Sequence, residues 1–125
     1  METNNEGGNK LIEILKALAD ETRLRILAQI IKNEMCVCEI EECLQLTQSN
    51  ASRHLTVLRR AGILESYKNA QWTYYKISKE FISENKELYD YIIKKIKQLP
   101  CYETDCANFD SCRNQDLCIQ NINLK

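Results

Sequence analysis

Seven of the 125 residues are cysteines, and they carry most of the chemistry available to the chain. Cys36 and Cys38 flank a single valine, Cys43 follows, and Cys101, Cys106, Cys112 and Cys118 all lie beyond Pro100. Thiolates are soft ligands, suited to As(III), Sb(III), Cd(II) or Pb(II). Residues two apart in a regular helix point ~200° from one another, so Cys36 and Cys38 can reach one ion only if one precedes the helix or the helix distorts. Cys43 is seven residues beyond Cys36, two helical turns or ~10 Å away, so it can serve as a third ligand only after distortion and otherwise suits a small core position. The four later cysteines have the spacing C-x4-C-x5-C-x5-C, not the tight pairs of a structural zinc module. They are open to several uses: extra thiolates for Cys36 and Cys38, a second metalloid or zinc, or disulfides on oxidation. A catalytic cysteine needs a base, and the one histidine, His54, sits in a polar helix next to Arg53. There is no Gly-rich phosphate loop. An enzyme is therefore not expected, nor an organic cofactor.

Composition bounds the rest. Hydrophobic residues make up 44% and charged residues 28%. Three Gly and one Pro are few, which favours long helices. No stretch approaches ~18 apolar residues, so no membrane span is expected. Residues 1–10 lack the apolar segment of a secretion signal, and an odd cysteine count suits a reducing compartment, so the cytoplasm is expected. The net charge of −1 averages unlike segments. Residues 48–79 hold six basic side chains against Glu65 alone, and both flanks are acidic.

The elements that must position these groups follow from periodicity. Residues 1–9 read as a disordered tail. Leu11, Ile14, Leu15 and Leu18 then recur at helical spacing. Asp20 can cap a second helix with an apolar face of Leu24, Leu27, Ile30 and Ile31, ending near Asn33. A short helix spans 37–44, and Thr47 can cap a further one running to Ala61, where Gly62 suits a left-handed stop. The period then changes from 3.6 to 2. Residues 63–68 and 72–77 form a β-hairpin around Asn69, Ala70 and Gln71. A long helix from 81 to 99 follows, stopped by Pro100. The fold class is mainly α with a β-hairpin wing, in the order α-α-α-α-β-β-α: a winged helix-turn-helix domain over residues 10–99 with a Cys-rich tail over 100–125.

The helix after Thr47 has the signature of a DNA reader. Ala51, Leu55 and Leu58 share one arc of the helical wheel. Gln48, Ser49, Asn50, Ser52, Arg53, Thr56 and Arg60 supply donors and acceptors for base edges and phosphates in the major groove. In the hairpin, Lys68 and Gln71 can rest on the backbone or in the minor groove. Trp72 and at least one of Tyr74 and Tyr75 are expected to pack on the helices, and His54 to serve as a hydrogen-bonded structural residue.

Four stretches together resemble the ArsR/SmtB metalloregulators: Leu-Ala-Asp-Glu-Thr-Arg-Leu-Arg-Ile-Leu at 18–27, Cys-Val-Cys-Glu-Ile at 36–40, Thr-Gln-Ser-Asn-Ala-Ser-Arg-His-Leu-Thr-Val-Leu-Arg-Arg-Ala-Gly-Ile-Leu at 47–64 and Trp-Thr-Tyr-Tyr-Lys-Ile at 72–77. The resemblance implies a homodimeric repressor, joined through its first and last long helices. It further implies binding to a palindromic double-stranded operator and release when a metal or metalloid binds. Cys36 and Cys38 match the inducer motif of the arsenite-responsive and cadmium/lead-responsive branches. The third cysteine of the arsenite motif is replaced here by Glu41, and residues 1–35 hold none of the N-terminal cysteines of the cadmium/lead branch. The expected inducer is As(III) or Sb(III), with Cd(II)/Pb(II) or a thiol redox or persulfide switch as alternatives. Residues 81–99 contain no histidine, so the family's His-carboxylate site on its last helix is not expected.

Overall fold

The computed structural model describes residues 2–115. Helix α1 (Glu2–Leu18) leads into α2 (Glu21–Lys32), whose N-cap Asp20 accepts the Arg23 amide at 3.0 Å. Strand β1 (Met35–Cys36) precedes α3 (Val37–Leu44), and α4 (Gln48–Arg60) completes the helix-turn-helix. Thr47 caps α4 by accepting the Asn50 amide at 3.1 Å. Gly62 takes φ 80° just past its end. L side chains avoid that conformation. Strands β2 (Leu64–Asn69) and β3 (Trp72–Ile77) form the hairpin.

The helices differ from the sequence reading in three ways. Helix α1 takes in residues assigned to a disordered tail. Its packed face of Ile14, Ala17 and Leu18 supplies the nucleus, and each further residue then extends a formed helix at low cost. The long helix expected over 81–99 is broken into α5 (Lys79–Glu84) and α6 (Lys86–Ile96). The Asn85 side chain donates to the Phe81 carbonyl at 3.2 Å. Such residues compete with the helix for its backbone groups. The Cys-rich tail contains helix α7 (Tyr102–Gln115), packed on α2 and α3. Tyr102, Asp105, Phe109 and Cys112 recur at helical spacing and face the core.

The hairpin also gains a third strand. β1 pairs antiparallel with β3, placing Met35 opposite Tyr75 and Cys36 opposite Tyr74, so the sheet order is β1-β3-β2. One apolar core runs from Ile14 through Ile26, Leu27, Ile40, Leu55, Leu58 and Ile63 to Phe81 and Phe109. Among the described residues no helix is long and apolar enough to cross a membrane.

Candidate functional site

Cys36 is the last residue of β1 and the N-cap of α3, with extended backbone (φ −86°, ψ 164°). Cys38 lies in the first turn of α3. Their sulfurs are 2.7 Å apart. Of the two geometries open to an i, i+2 pair, the first is realised: one cysteine precedes the helix, and α3 stays regular. The sheet fixes Cys36 against Tyr74, and its amide donates to the buried Glu39 carboxylate at 3.1 Å. Cys36 is buried and Cys38 half-buried, so the pair opens to solvent on the Cys38 side. Burial raises the Cys38 thiol pKa, and the Glu39 charge pushes it the same way.

The other cysteines go elsewhere. Cys43 is buried in the core, and so is Cys112. Cys101 and Cys106 are half-buried, and Cys118 lies outside the described residues. Among the described residues no three Cys, His, Asp or Glu side chains gather as a ligand set.

Helix α3 packs directly on α4. The turn between them is fixed by Gln45 in a left-handed conformation (φ 57°) and by the Leu46 amide donating to the Glu41 carbonyl at 2.9 Å. On α4, Ala51, Leu55 and Leu58 are buried, while Gln48, Ser49, Asn50, Ser52, Arg53 and Arg60 are exposed. Thr56 is half-buried. Arg53 donates to the Asn50 side-chain oxygen at 2.7 Å, which holds its guanidinium over the N-terminal half of the helix. His54 is buried, and Arg23 Nη1 lies 3.1 Å from its Nδ1, so it ties α4 to α2 as a structural residue. Lys68 and Gln71 are exposed on the wing. Tyr75 packs on the core and Trp72 is half-buried. Tyr67 stacks on Tyr74 with ring centroids 5.6 Å apart, and its hydroxyl donates to Glu34, which pushes its pKa up to about 12.

Sequence reasoning missed Arg25. It joins α2 to the last carbonyl of α3 and to Asp105 of α7. No local pattern marks a pair 80 residues apart. The apolar face expected on the first and last long helices leaves Leu11, Ile12, Leu15 and Tyr91 exposed, at 55%, 50%, 47% and 59%. Beside it, Leu18, Leu24, Leu88 and Leu99 line a groove of about 370 Å³ between α1 and α6.

Residues 20–66 match the bacterial regulatory protein, arsR family. The transcriptional activator HlyU of Vibrio cholerae is 40% identical over 79 residues, covering 63% of this chain and 73% of that protein. The arsenical resistance operon repressor of Bacillus subtilis is 34% identical over 83 residues, 66% of this chain and 79% of that protein. The chain belongs to the arsR family. Another relative is the arsenic resistance transcriptional regulator ArsR1 of Pseudomonas putida, 46% identical over 68 residues. That match spans 54% of this arsR-family chain and 53% of the Pseudomonas protein. A solved structure of HlyU from Vibrio cholerae superposes with a TM-score of 0.61 at 36% identity, over 77% of this chain and 97% of the other. As an arsR-family member the chain is a transcriptional regulator and not an enzyme.

Proposed function

We propose that this regulator is a cytoplasmic repressor of a palindromic operator, released when As(III) or Sb(III) binds Cys36 and Cys38. The observation that carries the reading is the 2.7 Å approach of the two sulfurs at the start of the helix that packs on α4. Relatives named as arsenic resistance regulators support the metalloid as inducer. In the reduced protein, arsenous acid condenses with two thiols: two As–S bonds form, two As–OH and two S–H bonds break, and two waters leave. The arsenic keeps its third hydroxyl, so two protein sulfurs suffice. No net proton is released. A divalent ion must displace both thiol protons, and the raised Cys38 pKa handicaps it.

The acting unit is a homodimer. The apolar face of α1 and α6 is too large to leave in water, and a twofold axis through it sets two α4 helices in successive major grooves. Gln48, Ser49, Asn50, Ser52 and Arg53 read bases there, Thr56, Arg60 and Lys68 hold phosphates, and Gln71 enters the minor groove. Arsenic at the N-cap of α3 bridges Cys36 and Cys38, shifts α3 against α4 and disfavours the DNA-bound state.

The test is release of an operator fragment, titrated with arsenite, antimonite, cadmium and lead at two pH values. Arsenite or antimonite is expected to act at the lowest concentration and with little pH dependence. Release by cadmium or lead at lower concentration than arsenite overturns the metalloid reading.

A further inference from the structure

A second sulfur chemistry lies on α7, away from Cys36 and Cys38. The Cys106 sulfur meets three hydrogen-bond donors. Lys32 Nζ is 3.3 Å away and Gln29 Nε2 3.7 Å away, both from α2, and the Tyr102 hydroxyl bonds to it from one turn earlier. A neutral thiol is a weak acceptor and does little for three donors. Gln29 adds an independent sign of an occupant. Its side chain is fully buried (0% exposed), and its Oε1 has no hydrogen-bond partner. Buried amide oxygens are nearly always paired, and this one belongs to the same planar group that touches the sulfur.

A donor attached to the sulfur would supply the missing partner. A hydroxyl there would give its proton to Gln29 Oε1, while its oxygen accepts from Lys32 and Tyr102. Turning the Gln29 amide by half a turn about its last torsion would bring Oε1 to the place of Nε2, facing the sulfur.

We propose that Cys106 is a peroxide-reactive thiol, oxidised to a sulfenic acid that Lys32, Tyr102 and Gln29 hold. The sulfur attacks one oxygen of hydrogen peroxide. The S–O bond forms and the O–O bond breaks; the sulfur is oxidised by two electrons and the peroxide reduced. The departing oxygen takes the thiol proton and leaves as water, with Lys32 stabilising the charge that develops on it. Half-burial of Cys106 admits a molecule as small as peroxide. Cys101 is an internal comparison. It is also half-buried, one residue before α7 begins, and the guanidinium it faces, Arg25, is already paired with Asp105.

The site is independent of Cys36 and Cys38, so it stands or falls apart from the arsenite reading. Reduced full-length protein is treated with hydrogen peroxide in the presence of dimedone, which captures sulfenic acids, and labelling is mapped by peptide mass. Cys106 is expected to label about tenfold faster than Cys101, the scale of one charge-assisted hydrogen bond in the transition state. Lys32→Gln, an exposed change that spares the core, brings Cys106 to the Cys101 rate. Gln29→Leu leaves the first oxidation in place and speeds further oxidation to the sulfinic acid. Equal labelling of Cys106 and Cys101, or a Cys106 rate unmoved by Lys32→Gln, overturns the proposal.

Discussion

Arg25 grips Asp105 with two parallel hydrogen bonds, Nε to Oδ2 at 2.8 Å and Nη2 to Oδ1 at 2.9 Å. Nη2 also donates to the Leu44 carbonyl at 3.1 Å. One guanidinium thus joins α2, the C-terminus of the cysteine-bearing helix and α7. The hydrogen bond to Asp105 is the largest influence raising the Arg25 pKa, against the opposing effect of burial. Asp105 is only 2% exposed. Removing one partner of a buried pair leaves the other without compensation, so Asp105→Ala should cost about 3 kcal/mol. Urea unfolding measures it. A loss below about 1 kcal/mol would place the pair among solvent-screened surface pairs, contrary to this geometry.

His54 should make stability depend on pH. Burial lowers its pKa from 6.5; Asp20 opposes this, while Arg53 and Arg23 add to it. Arginine can only donate, so the Nδ1 facing Arg23 is the acceptor of a neutral ring. The unfolded chain takes up the proton near pH 6.5, and the folded chain resists to a lower pH. The contribution is therefore complete above pH 6.5 and is lost as pH falls below it. Urea midpoints between pH 8 and 5 should drop more steeply for the wild type than for His54→Gln, a neutral hydrogen-bonding replacement. Parallel slopes would show that the folded and unfolded states hold this proton equally.

Gly62 closes the recognition helix at φ +80°, and a Cβ there would come 2.8 Å from Lys10 Nζ. The lysine tip can move, but the backbone conformation cannot change without displacing β2. Gly62→Ala should cost about 1–2 kcal/mol, the penalty of a left-handed L residue. Thermal unfolding reads it, and an unchanged midpoint would contradict the strain.

The proposed DNA interface predicts two kinds of loss. Arg53→Ala should weaken operator binding by about 1–3 kcal/mol and relax base preference near its contact. Lys68→Ala should weaken all sequences alike and lower the salt slope by about one. Fluorescence anisotropy across a salt series separates the two. A Lys68→Ala variant with an unchanged slope would remove the wing from the backbone contact.

Much of this arrangement was legible from residues close together in sequence. Thr47 and Gly62 bracket the recognition helix because capping and left-handed termination are local effects. The i, i+2 spacing of Cys36 and Cys38 already demanded a residue outside the helix or a distorted one. What was hidden depends on distant partners. Strand β1 has two residues and exists because β3 accepts it. Helix α7 buries an aspartate, which no hydrophobic pattern predicts, and the partner that makes the burial tolerable lies on α2. Reading its cysteines as ligands or disulfide partners obscured that Cys112 shares a packed face with Phe109.

The central claim is that two sulfurs, those of Cys36 and Cys38, hold the inducer. Arsenic X-ray absorption on the arsenite-loaded full-length protein measures it directly. The account predicts two sulfurs and one oxygen around arsenic, one sulfur fewer in Cys38→Ser, and no arsenic–sulfur shell in the Cys36→Ser/Cys38→Ser double variant. An unchanged sulfur shell in that double variant would contradict it and move the site elsewhere.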